Sequence, residues 1–141
     1  MKRLLRCFLA LGFSCLTMVS EAALLRIGAN QVNLLESAQF LEDPFGQWTL
    51  GDVQAMESQF RHWTRGGTEM NFGFTSSAYW IRVPLQRQEN APASWLLEVH
   101  FARLDQLDFY PPSGQVVNTG SSRPFSSRPY FDRHFVFPLD V

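Results

Sequence analysis

Trp80 and Arg82 stand two residues apart in the run Ala78-Tyr79-Trp80-Ile81-Arg82-Val83-Pro84-Leu85, so on an extended strand they share one face. A large flat ring beside a planar cation suits sugars and carboxylates. Sugar C–H faces stack on the ring, and the guanidinium forks onto paired oxygens. The same pair also describes an Arg stacked on a core Trp, with an ion pair to Asp105 or Glu98 fixing sheet register. Tyr110, Asp108 on the same side of its strand pattern, and the loop residue Arg128 join them. The candidate ligand site is therefore Trp80, Arg82, Asp108, Tyr110 and Arg128.

Other chemistry is sparse. The chain has no Gly-x-Ser-x-Gly elbow, no His-Glu-x-x-His and no phosphate-cradling glycine loop. Asp105 and Asp108 are spaced by three, which places them on opposite faces of a strand and argues against a glycosidase pair. Catalysis is not expected. His62, His100 and His134 are each alone in their segments and read as solvent-facing or singly hydrogen-bonded side chains rather than zinc ligands. Oxygen ligands for calcium exist at Glu42, Asp43, Asp52, Asp105 and Asp132, but no loop spacing demands a metal. No cofactor is required, and calcium is the one ion left open.

Residues 1–22 read as a secretory signal peptide. Lys2, Arg3 and Arg6 form a basic start, Cys7 to Val19 a short apolar core, and Ser20-Glu21-Ala22 a small-residue cleavage site. The apolar core is short of the roughly 20 residues needed to span a bilayer. Cleavage after Ala22 removes both cysteines and the only lysine. The remaining 119 residues carry nine arginines and twelve acids, a net charge of −3. That balance excludes the clustered basic surface of a nucleic-acid binder. A cysteine-free exported domain of this size can fold on its own core, which suits a bacterial periplasm.

The elements that must position these residues are short. Val32, Leu34 and Leu35 suggest a first edge strand, and Glu42 to Gly46 a turn. Thr49-Leu50-Gly51-Asp52 has the form of a capping box opening a helix over Leu50 to Phe60, with Val53, Met56 and Phe60 on one face. Arg65-Gly66-Gly67 breaks the chain, and the remainder alternates. Trp95, Leu97, Val99 and Phe101 mark one strand, and Leu107 and Phe109 another, which turns at Pro111 to Gly114 into Gln115 to Asn118. Phe135, Phe137 and Leu139 mark a last one, with Pro138 suggesting an edge position. The pattern predicts an all-β, antiparallel β-sandwich with one short helix near 50–60.

The stretch Asn71-Phe72-Gly73-Phe74-Thr75-Ser76-Ser77-Ala78-Tyr79-Trp80-Ile81-Arg82-Val83 resembles the signature of a bacterial sensor domain. Trp95 to Val99, Leu104 to Tyr110, Gly114, Gly120, Pro124-Phe125, Arg128-Pro129 and Phe135 to Leu139 follow in the same order. That domain is the second extracellular type of the seven-transmembrane receptors with diverse intracellular signalling modules. The resemblance runs from about Leu34 to Val141. It implies a jelly-roll sandwich similar to carbohydrate-binding modules, periplasmic, with a small-molecule or glycan ligand. In the family this domain precedes a seven-helix membrane region and an output module such as a diguanylate cyclase or histidine kinase. The sequence stops before the family's final strands, so the expectation is a receptor fragment or a truncated product, with exposed strand edges and poor solubility. The competing class is an interaction module that pairs with a second copy as a homodimer or with a periplasmic protein.

Overall fold

The alternating run around Trp80 forms the strand about which the larger sheet is built. The computed structural model describes residues 4–8, 23–25, 31–64, 69–112 and 114–141. In chain order the elements are β1 (Leu4–Phe8), β2 (Ala23–Leu25), β3 (Gln39–Asp43), α1 (Leu50–Ala55), β4 (Arg61–His62), β5 (Ala78–Arg82), β6 (Leu85–Arg87), β7 (Ser94–Val99), β8 (Gln106–Tyr110), β9 (Val117–Thr119) and β10 (Phe135–Asp140). The main sheet has the order β4-β3-β5-β1-β8-β9. β3 runs antiparallel to β4 and β5, and β9 antiparallel to β8. A second, two-stranded antiparallel layer joins β7 to β10. Among the described residues the fold is β-rich and mostly antiparallel, with one short α-helix.

The parallel contacts come from the N-terminal strands. β1 lies parallel to both β5 and β8, and β2 parallel to β6. β1 falls inside the segment read as a leader, whereas residues 9–22, which hold most of its apolar core and the cleavage point, lie outside the described residues. The Arg65-Gly66-Gly67 break also lies outside them.

Two sequence expectations change. No strand forms around Val32, Leu34 and Leu35, because Asn33 Oδ1 accepts the Leu35 N–H at 2.9 Å and Ser37 N–H bonds back to the Leu34 carbonyl at 3.2 Å. Side-chain capture of a nearby backbone N–H competes with a sheet ladder and makes a turn instead. The helix starts at its predicted capping box, with Thr49 and Asp52 bonding each other's backbone N–H, and the Asp52 carboxyl is held below its usual pKa by the Thr49 hydroxyl first and then by the Thr49 N–H. It ends at Ala55 rather than Phe60. Met56 leaves helical geometry, and a 3-10 turn over Glu57–Gln59 follows.

Alternation assigns the two faces of β5 to two cores. Tyr79 and Ile81 join Leu107, Phe109, Phe135, Phe137 and Leu139 in the main core, where Phe109 stacks on Phe137 across the layers at 4.6 Å. Trp80 faces the other way, with Leu41 and Val53, beneath Trp48, Leu50, Met56 and Phe60. Thus α1 and its flanks seal the outer face of the main sheet over β3 and β5. β7 and β10 cover part of the inner face.

Candidate functional site

Of the five expected ligand residues, the structure brings Trp80 and Tyr110 together, their rings stacked at 5.5 Å and 29°. Trp80 is 0% exposed, so its ring is core and presents no face to solvent. This is the correction to the ligand-platform reading, and its cause is the lid formed by α1. Arg82 bonds Gln39, its partner across the β3–β5 register, and pairs with Glu57 at 2.5 Å rather than with Asp105 or Glu98. Its guanidinium also lies over Phe60 at 4.7 Å. Asp108 is buried and accepts from Asn118 Nδ2 at 2.6 Å. Arg128 lies apart from these four. It sits over Phe125 and Phe135 at 4.6 and 4.3 Å and donates to the carbonyls of Asp132 and Arg133. The arginine thereby fixes the loop that precedes β10.

The carboxylates considered for calcium are not gathered. Glu42 accepts from Ser77 Oγ and Tyr79 Oη, which sits opposite it in register. Asp43 accepts from the Trp48 N–H and Asp52 serves the helix cap. Asp105 accepts from Ser121 and Asp132 from the His134 N–H. Burial and the acidic neighbour raise the pKa of the Tyr79 hydroxyl, burial being the larger cause.

The open space lies on the inner side. A cavity of about 1280 Å³ separates the Tyr79 and Ile81 face of β5 from the Leu97 side of β7. Its floor is apolar, with Phe72 stacked on Tyr79 at 3.8 Å and 14°. Its rim carries three exposed rings, Phe101, Tyr130 and Phe131, the last 96% exposed. Between them stand Glu98, His100 and Asp132. An apolar hollow with a few convergent polar groups is the usual form of a ligand site, and this volume exceeds the roughly 300–1000 Å³ of most small-molecule pockets.

Beside that rim the structure overturns the separate-histidine reading. Glu98 and His100 are two residues apart along β7 and its extension. Because Phe135 pairs with Val99, His134 lies alongside His100. The two imidazoles stack at 4.7 Å and 17°. His134 Nδ1 meets Glu98 Oε1 at 2.7 Å, and His100 Nε2 meets Oε2 at 3.0 Å. A carboxylate only accepts, so each imidazole carries its proton on the nitrogen that faces it. Contacts from His134 first, then His100, hold the Glu98 carboxyl below its ordinary pKa.

Sequence reading missed the rim. Its signal was the density of aromatic and charged residues in Pro129-Tyr130-Phe131-Asp132-Arg133-His134, a segment without alternation that belongs to no strand. The pairing of His100 with His134 depends on β7–β10 register across 34 positions and has no local signature.

Among the described residues no helix is long and apolar enough to cross a membrane. No curated protein and no solved structure matches the chain. The model of one family, 7TMR-DISM extracellular 2, matches residues 36–141, three quarters of the sequence. That span includes every strand from β3 onward, the aromatic rim and most of the cavity's lining. The chain belongs to the 7TMR-DISM extracellular 2 family, the extracellular sensor domains of membrane receptors.

Proposed function

We propose that the chain is the periplasmic ligand-binding part of such a receptor, and that a glycan or similar hydroxyl-rich molecule binds at the mouth of the inter-layer cavity. The observation that carries this reading is the rim, where Phe101, Tyr130 and Phe131 stand exposed beside Glu98, His100 and Asp132. Exposed rings receive sugar C–H faces, and the polar neighbours take hydroxyls. A jelly-roll sandwich like those of carbohydrate-binding modules is part of the reading, supported by the two layers and their mostly antiparallel pairing. Export with removal of residues 1–22 is part of it too, and takes β1 from between β5 and β8. No chemistry is assigned to these residues, and any output enzyme belongs to other parts of a receptor.

The test is a glycan array of neutral oligosaccharides, followed by calorimetry with the best-bound sugar. Tyr130→Ala and Phe131→Ala should each weaken binding by between about twofold and tenfold, the worth of one aromatic contact, while circular dichroism stays unchanged. Array binding that ignores both substitutions, or no binding at all, would refute the glycan reading.

One observation favours a second reading, a pairing module. Among the described residues β7 and β10 each keep an unpaired edge, and Leu96 is 59% exposed beside them. A dimer detected by light scattering and abolished by Leu96→Lys would select it.

A further inference from the structure

Glu98, His100 and His134 offer three ligand atoms within 4.8 Å of one another. We propose that they form a binding site for one divalent transition-metal ion of the zinc type, with one coordination position left open. The site shares Glu98 and His100 with the glycan reading but does not depend on it, and its test uses the metal alone.

Donor set comes first. Two imidazole nitrogens and a carboxylate suit Zn²⁺, Co²⁺, Ni²⁺ or Cu²⁺, whereas Ca²⁺ and Mg²⁺ take oxygen ligands in larger number. Geometry comes second. Tetrahedral zinc holds its ligands at about 2.0–2.1 Å, which sets neighbouring ligand atoms about 3.3 Å apart. The carboxylate-to-imidazole distances are 2.7 and 3.0 Å, but the rings lie nearly parallel at 17°, and a ring nitrogen binds in its ring plane, so loading opens the stack and turns both imidazoles toward the ion. On loading, each imidazole changes tautomer: the proton that now bridges to Glu98 passes through solvent to the far ring nitrogen, and the freed lone pairs of His134 Nδ1 and His100 Nε2 bind the ion.

Preorganisation comes third. Glu98 lies on β7, and His100 and His134 are the residues that directly flank the last β7–β10 pair, Val99 with Phe135, so strand register holds all three close. The Asp132 carboxylate accepts the His134 backbone N–H at 2.7 Å, and Arg128 clamps the carbonyls on either side of that contact. Arg133 Nη2 lies 3.2 Å from His134 Nε2, which would become a donor once Nδ1 holds the metal. Arg133 is exposed and must swing away, so it opposes loading both by its charge and by its present contact. The side chains of His100 and Glu98 are 59% and 43% exposed, which gives an ion access from solvent. Glu98, His100 and Asp132 also line the cavity, so a bound ion ties the mouth loop to β7.

The experiment titrates the full chain, without a histidine tag, with Co²⁺ alone, following its d–d absorption, and then displaces Co²⁺ with Zn²⁺. One ion per chain is expected. Outer partners of metal ligands are worth roughly tenfold to a hundredfold in affinity, so losing a ligand should cost at least that in His100→Ala and in His134→Ala. His62→Ala, which removes the third histidine, should change nothing, and Arg133→Ala should tighten binding. Because His100 is mostly exposed, its replacement leaves the fold intact, which circular dichroism verifies. No binding at millimolar Co²⁺, or affinity unchanged in both His100→Ala and His134→Ala, would overturn the site.

Discussion

Replacing Trp80 by alanine separates a core role for this ring from a ligand-platform role, because the two predict opposite rankings against a rim residue. Trp80 is fully buried, and burying an aromatic side chain of its size removes about 150–250 Å² from water. At about 25 cal/mol per Å² that is about 4–6 kcal/mol. Alanine keeps part of it, while the void beneath α1 adds a penalty, and buried Trp→Ala changes cost about 3–5 kcal/mol. Loss of the stacked contact with Tyr110 pushes the value upward, so about 4 kcal/mol is expected. A domain of this size is stable by about 5–15 kcal/mol, so the variant keeps a folded state but a weakened one. With a urea slope of about 2 kcal/mol per molar, the unfolding midpoint falls by about 2 M. The assay is urea unfolding of the full chain followed by the fluorescence of Trp48, Trp63 and Trp95, which remain. Phe131→Ala, at 96% exposure, should shift the midpoint by the equivalent of less than about 0.5 kcal/mol. A Trp80→Ala midpoint equal to wild type, together with lost ligand binding, would show that α1 does not cover this face and that the reasoning fails.

Two glycine substitutions and one truncation probe the scaffold. Gly120 has φ +139° and a Cβ there would lie 2.2 Å from the Asp105 carbonyl oxygen, so Gly120→Ala should cost more than about 3 kcal/mol, while Gly73→Ala, at φ +69° with no atom within 4 Å, costs about 1 kcal/mol. Equal denaturation midpoints for the two variants would contradict that clash. Amide exchange compared between the full chain and residues 23–141 should show faster exchange within Ala78–Arg82 and Gln106–Tyr110 once β1 is removed; equal protection would mean that β1 is not their partner.

The sequence made the strands legible because alternation is local. Trp95 to Val99, Leu107 with Phe109, and Phe135 to Leu139 each announce their face within a few residues, and each forms as expected. The capping box of Thr49 and Asp52 was equally local. What alternation does not say is which face of an interior strand is covered, or by what. Trp80 and Tyr79 look alike in a period-2 pattern, and only the docking of α1 on the Trp80 side turns a candidate platform into core. The same limit hid the Glu98, His100 and His134 cluster, where two strands far apart in sequence had to be set in register before the side chains met.

That docking also constrains where a signal can start. With the outer face of β5 sealed by Trp48, Leu50, Met56 and Phe60, a ligand reaches this strand from the inner side, where Tyr79 and Ile81 line the cavity. β5 then carries a ligand-facing row and, one residue out of phase, the row that supports α1. The Trp80 row is packed beneath α1 and its flanks, and packed interiors pass on small displacements rather than absorb them. In the proposed receptor reading, ligand entry at Tyr79 therefore bears on Trp80 through a single backbone step, and on the Arg82–Glu57 pair through the next two. Tyr79 is accordingly the position at which a change of side-chain volume should alter ligand affinity and the packing of α1 together, whereas Phe131, out on the rim, should alter affinity alone.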